Sequence, residues 1–199
     1  MAPLKSNAGV RQSYNDRVRF LVALFAFSLS AMSAVNMDNC VCDPARPETA
    51  SDRQCSLCLE AEKHPADAPF FFLKDAAPHK PNRWLLLIRS HSSDGRLPLL
   101  KLTPRERTAM WTSAIERARS LWGDDWGIAF NGDEVRTQCH AHIHIGRLLK
   151  GVEYGKPLVV AGPAQIPAPR DGTGFWIHPY GKKLHVHTGE QRAETVLLR

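Results

Sequence analysis

The sequence predicts an α+β fold, in which a β-sheet carries a row of histidines and one long helix backs it. Three observations predict it. "PFFFLKD", "RWLLLIRS" and "WGIAFN" are apolar runs of strand length. "TPRE" opens a stretch with apolar residues at helical spacing. "HAHIHIG" alternates histidine with small or apolar residues at the period of a strand.

The chain begins with a basic segment bearing Lys5, Arg11, Arg17 and Arg19, followed by "FLVALFAFSLSAMSA", Phe20 to Ala34. Crossing a bilayer as a helix takes roughly 20 apolar residues, so this run is short for a span. Its basic flank and the small residues Ala31, Ser33 and Ala34 fit a secretory signal or an N-terminal anchor over residues 1–35. The protein is therefore expected to be exported or tethered to a membrane. Residues 36–69, rich in Pro, Asp, Ala and Cys, read as an irregular lead-in with one short helix near Leu57–Lys63.

"PFFFLKD" is a strand ending at Asp75, "AAPHKPN" a proline-broken loop, and "RWLLLIRS" a buried strand. In the helix, Thr103 is the N-cap, Pro104 the first residue and Glu106 the third, which makes a capping box. Trp111, Ala114, Ile115, Ala118, Leu121 and Trp122 form its apolar face, and Gly123 ends it. "WGIAFN" and "CHAHIHIGRLL" are the next strands, separated by the loop "GDEVRTQ". Residues 36–150 are thus expected to form the principal domain. Residues 151–199 are expected to be a Gly/Pro-rich C-terminal extension, with 151–174 as loop and two short strand-like pieces, "FWIH" and "LHVH".

The 199 residues carry a formal net charge of +6, which suits an anionic ligand. No run of five or six like charges marks a nucleic-acid arm, so nucleic acid is not an expected partner. Five cysteines are present: Cys40, Cys42, Cys55, Cys58 and Cys139. In an exported chain the first four could form two disulfides, with three connectivities open. Alternatively, Cys55 and Cys58 in "CSLC" could be half of a zinc site.

Residues two apart on a strand share a face. His140, His142 and His144 therefore line one face, while Ala141, Ile143 and Ile145 line the other and can pack on the helix. Three chemistries fit such a row. A plain solvent-facing strand would seldom use three imidazoles. Zinc accepts three histidines, but one strand usually supplies at most two to one ion, so a second strand would have to help. A neutral imidazole can also attack phosphorus while its neighbours donate to the phosphate oxygens.

His-x-His-x-His on a strand resembles the histidine-triad superfamily of nucleotide hydrolases and transferases. "DAAPHKPNRWLLLIRSH", Asp75 to His91, is similar to that superfamily's ribose-binding segment. Asn131 and Thr137 stand where the family places phosphate-contacting residues. "RTQCHAHIHI" looks most like the CDP-diacylglycerol pyrophosphatase branch, whose Arg-Thr-Gln is matched by Arg136, Thr137 and Gln138. Arg83 stands where the family often has histidine, and Ile88 where it often has proline.

The resemblance implies a histidine-triad-like antiparallel sheet, an enzyme, and a common tendency to form homodimers. It implies that His142 is the nucleophile toward a phosphoanhydride, and that His144, Asn131 and Thr137 stabilise the phosphate oxygens. His140 would orient the site, Asp75 would bind ribose, and Arg136 and Gln138 would contact the substrate. That substrate would be a nucleotide or nucleotide-lipid, such as CDP-diacylglycerol at a membrane surface or a dinucleoside polyphosphate. No cofactor is required for this chemistry. Some members hold a structural zinc, for which Cys55, Cys58 and His91 match three ligand positions. A competing expectation is a secreted metal-binding module built from the triad strand and "LHVHTGEQ", in which His185, His187 and Glu190 offer ligands.

Overall fold

The computed structural model describes residues 34–35, 37, 40–43, 45–90 and 98–199. The expected signal or anchor and His91 lie outside the described residues, apart from its last two positions. Among the described residues, no helix is long and apolar enough to cross a membrane.

The fold is α+β, built on one seven-stranded antiparallel sheet of order β1-β2-β4-β3-β6-β7-β5. The strands are β1 Phe70–Lys74, β2 Trp84–Ile88, β3 Trp126–Phe130, β4 His142–Arg147, β5 Leu158–Val160, β6 Gly174–Tyr180 and β7 Lys183–Glu190. The helices are α1 Ser56–Glu62, α2 Pro98–Lys101 and α3 Pro104–Trp122.

α3 starts as its sequence requires. The Thr103 side chain accepts from the Glu106 backbone, and the Glu106 carboxylate accepts from the Thr103 backbone N–H at 2.8 Å. Gly123, at φ +60°, closes the helix where a side chain would be strained. The buried stripe is Met110, Trp111, Ala114, Ile115 and Ala118. Leu121, expected on that face, is exposed instead, while Trp122 beside it packs against the core. The stripe packs on Leu86, Ile88, Ile128, Phe130, Ile143, Ile145, Phe175, Ile177 and Val186, the main hydrophobic core.

Residues 151–199 are no appendage. They supply three of the seven strands, and Ser33–Arg199 cluster as one unit. β5 arises within the stretch expected to be loop. It is a three-residue edge strand with two exposed positions, too short to display a period. β6 and β7 are longer than "FWIH" and "LHVH" suggest, and a two-residue turn with Gly181 at φ +57° joins them. A last 3₁₀ turn, Ala193–Val196, folds back over the sheet, and Leu197 bridges to Leu148. Ala193, Val196 and Leu197 bury themselves against Ala129 and Trp176.

The lead-in is tied to the sheet near the start of β4. Cys42 and Cys55 form a disulfide. In the chain-entropy picture, closing a loop of this size is worth about 3 kcal/mol. Of the two uses the sequence left open for these cysteines, a disulfide is the one Cys55 makes here, and His91, the third candidate zinc ligand beside Cys58, lies outside the described residues. Cys40, Cys58 and Cys139 are reduced and gather beside the disulfide.

Candidate active site

Residues paired in an antiparallel register project to the same face. Leu85 pairs with His144, His144 with Ala129, Ala129 with Trp176, and Trp176 with His187. One row therefore crosses five strands on the face opposite α3. His142 lies on this face opposite Leu87, and His178 pairs with His185 on the same side. All six of His140, His142, His144, His178, His185 and His187 are buried. The sheet face that carries them is covered by α1 over β1 and β2 and by the 193–197 segment over β3 and β6.

β4 begins later than the sequence suggests, at His142 rather than Cys139. The Cys139 N–H bonds to the Gln54 carbonyl at 3.0 Å, so this backbone serves the lead-in rather than a neighbouring strand. Beside it, His140 Nε2 donates to the Ile88 carbonyl at 2.6 Å. A side chain thus replaces the ladder where β2 and β4 part.

The His142 ring has a defined tautomer. Its Nδ1 lies 3.0 Å from the His140 carbonyl oxygen. A carbonyl can only accept, so Nδ1 carries the proton and Nε2 keeps its lone pair. Burial pushes His142 below the usual imidazole value, against the opposing pull of that hydrogen bond, and the nearby Arg136 charge adds to the lowering. The ring is accordingly neutral at pH 7.

His144 stands edge-on to His142 with ring centroids 4.8 Å apart. Both of its ring nitrogens are buried without a hydrogen-bond partner. Burial, then the neighbouring His142, holds it well below the usual imidazole value. Its nearest ionic neighbour is Glu194, at 3.7 Å from Nδ1.

Glu194 is the centre of a charged cage that the sequence did not disclose. Arg83 donates through Nη1 to its carboxylate at 2.6 Å, and Lys80 approaches the same oxygen. Arg83 also donates to the carbonyls of Glu194, Leu197 and Leu198. Burial opposes ionisation of Glu194, but the positive groups around it prevail and bring its pKa to about 2. His144 is the largest of these lowering influences when it is protonated, while Lys80 and Arg83 act whether it is or not.

The expected substrate residues divide. Arg136 is buried, pairs with Asp133 and lies over the Phe130 ring at 5.4 Å. Asp75 is half-buried at the end of β1, where its carboxylate accepts from the Ala77 N–H at 2.9 Å. Its charge, like that of Arg136, reaches His142. Thr137 is half-buried in the irregular segment that leads to His140.

Asn131 and Gln138 are engaged elsewhere. Asn131 Oδ1 accepts from the Glu194 backbone at 2.9 Å and so anchors the C-terminal turn. Gln138 Oε1 accepts from the Ser56 hydroxyl at 3.0 Å, and its amide donates to the Arg53 carbonyl at 3.2 Å. Gln138 therefore ties the start of α1 to the triad's approach. Its position two residues before the first histidine concealed this, because its partners lie over eighty residues away in the chain.

The structure does not gather the triad with His185 and His187 into one metal site. Among the described residues, the group whose ligand atoms converge is Glu153, His178, His185 and His187. Glu190 is not part of it. His178 and Glu153 were not singled out from sequence. A β6 residue beside β7 could have been found only by knowing the hairpin register, and nothing near Glu153 marks it.

No protein-family model matches the chain, and no curated protein matches it.

Proposed function

We propose that the protein is a phosphoanhydride hydrolase of the histidine-triad type, with His142 Nε2 as the nucleophile and a nucleotide-containing substrate. One observation carries this reading. The Nδ1 proton of His142 is committed to the His140 carbonyl, so a neutral ring keeps a bare Nε2 beside a second imidazole whose nitrogens make no hydrogen bond.

An unsatisfied buried polar group costs about 1–3 kcal/mol and is a common mark of a site completed by its ligand. A phosphate oxygen would give His144 the acceptor it lacks. In the first step Nε2 attacks phosphorus, the anhydride P–O bond breaks, and the leaving phosphate takes the bond's electron pair. In the second, water cleaves the P–N bond and releases the monophosphate, returning the ring to its neutral form. Splitting one displacement into two is the usual advantage of a covalent nucleophile. His144 and the buried Arg136 would stabilise charge on the non-bridging oxygens. Asp75, half-buried just past β1, would accept from a ribose hydroxyl. CDP-diacylglycerol and dinucleoside polyphosphates are the substrates to try first.

The test is a panel of CDP-diacylglycerol, dinucleoside polyphosphates and nucleoside phosphoramidates, offered to the purified full chain with chelator present. Quenching into alkaline denaturant, with radiolabelled substrate, should trap label on the protein as an acid-labile, base-stable nucleotidyl-histidine. Turnover with no labelled enzyme at any time point would refute the covalent route.

The pH profile gives a second check. His142 must be neutral to attack, and burial lowers its pKa. The activity is therefore expected to hold from pH 8 to below about 6.5, the ordinary imidazole value, and to fall only at more acidic pH. An acid limb at or above pH 6.5 would place the controlling group elsewhere.

A further inference from the structure

We propose that Glu153, His178, His185 and His187 form a binding site for one divalent transition-metal ion of the zinc class, which pins the 148–157 connection onto the β6–β7 hairpin.

Topology brings the three histidines together. His178 and His185 are register partners across the hairpin, and His187 lies one residue pair further along on the same face. Their rings are buried, while the Glu153 side chain reaches them from the surface and is 52% exposed. The four ligand atoms all lie within 4.8 Å of one another. A tetrahedral zinc with bonds of about 2.0–2.1 Å needs ligand atoms about 3.3 Å apart. The Nε2 atoms of His178 and His187 already stand at 3.3 Å.

The proton arrangement favours a cation between them. His178 Nδ1 donates to the Pro179 carbonyl at 3.0 Å, which leaves its Nε2 bare. A further hydrogen bond to the Tyr154 backbone holds His187. Such backbone acceptors on the far nitrogen are how metal-binding histidines are usually oriented. His185 Nδ1 lies 2.5 Å from a Glu153 carboxylate oxygen but makes no hydrogen bond there. To share a tetrahedral ion this pair would open to about 3.3 Å, a movement available to the half-exposed Glu153 side chain. The rings are also held rigidly: His187 stacks on Trp176 at 3.7 Å and His185 on Tyr180 at 3.8 Å.

Three imidazoles and one carboxylate select the ion. The set is too rich in nitrogen for calcium or magnesium, and it has no thiolate to favour copper(I). Four protein ligands make a closed site of the structural kind. The strands of His144 and His187 are three spacings apart, which at about 4.8 Å each is roughly 14 Å. The ion would therefore not touch a phosphorus on His142, and the site stands independently of the proposed hydrolase.

The test is metal content of the full-length protein after dialysis from micromolar zinc sulfate. One zinc per chain is expected, as is a visible absorption band typical of tetrahedral cobalt when cobalt chloride replaces zinc. Glu153→Ala and His185→Ala should each weaken zinc on the order of 100-fold, while His142→Ala should keep one equivalent. Glu153→Ala is the deciding variant if His185→Ala fails to fold, because its side chain is half exposed. Failure to retain stoichiometric zinc would overturn the proposal, as would zinc held equally well by the Glu153→Ala protein.

Discussion

Replacing His142 by alanine is expected to lower turnover of the reactive substrate by at least about 10⁴-fold, the scale seen when a covalent nucleophile is removed. The effect should fall on kcat, since the lost bond forms only during reaction. His144→Ala should act differently. It leaves the nucleophile in place and removes one donor to the phosphate oxygens, a loss of about 10²–10³-fold. No labelled intermediate should accumulate in His142→Ala, while His144→Ala should still form one slowly.

Folding controls matter because both rings are buried. His142→Ala deletes one hydrogen bond, worth about 1 kcal/mol, and should keep a native circular dichroism spectrum. Hydrolysis by a folded His142→Ala protein at the parental rate would end the proposal.

The second large effect concerns stability rather than chemistry. Glu194→Ala should cost about 3 kcal/mol, because it leaves Arg83 and Lys80 charged without their carboxylate. Arg83 is only 2% exposed, so water cannot replace the partner. For a domain of this size the melting temperature should fall by roughly 10 °C. A variant that removes both members, Arg83→Met with Glu194→Leu, should recover part of the loss. A cost under about 1 kcal/mol for Glu194→Ala would show the cage to be dispensable.

The same group sets an acid limit. The folded pKa of Glu194, about 2, lies below its ordinary value of 4.5. A depressed carboxyl contributes its full stability above pH 4.5 and loses it as pH falls through 2. The difference between the parent and Glu194→Ala should therefore be constant near neutrality and shrink in acid.

The sequence by itself determined much of the local structure. Thr103, Pro104 and Glu106 specify the start of α3 by backbone chemistry that needs no distant partner. Alternation determined which way β4 faces: Ile143 and Ile145 had to enter the core, so His142 and His144 had to turn away from α3. The triad as the candidate site was legible for the same reason.

Only the tertiary structure decided what surrounds it. The Gly- and Pro-rich 151–199 segment shows little periodicity, yet its strands extend the sheet and its last turn places Glu194 beside His144. Arg83 and Lys80 meet that carboxylate across more than a hundred residues of chain. Asn131 and Gln138 stand at positions that suggest substrate, but their hydrogen bonds go to the C-terminal turn and to α1. The histidine cluster of the β6–β7 hairpin depends on register, and Glu153 reaches it from another connection. Local patterns are written in backbone propensity and strand period, which neighbours in sequence share. Charge pairs and convergent ligands are fixed by which distant segments pack together, and one sequence carries no local trace of that.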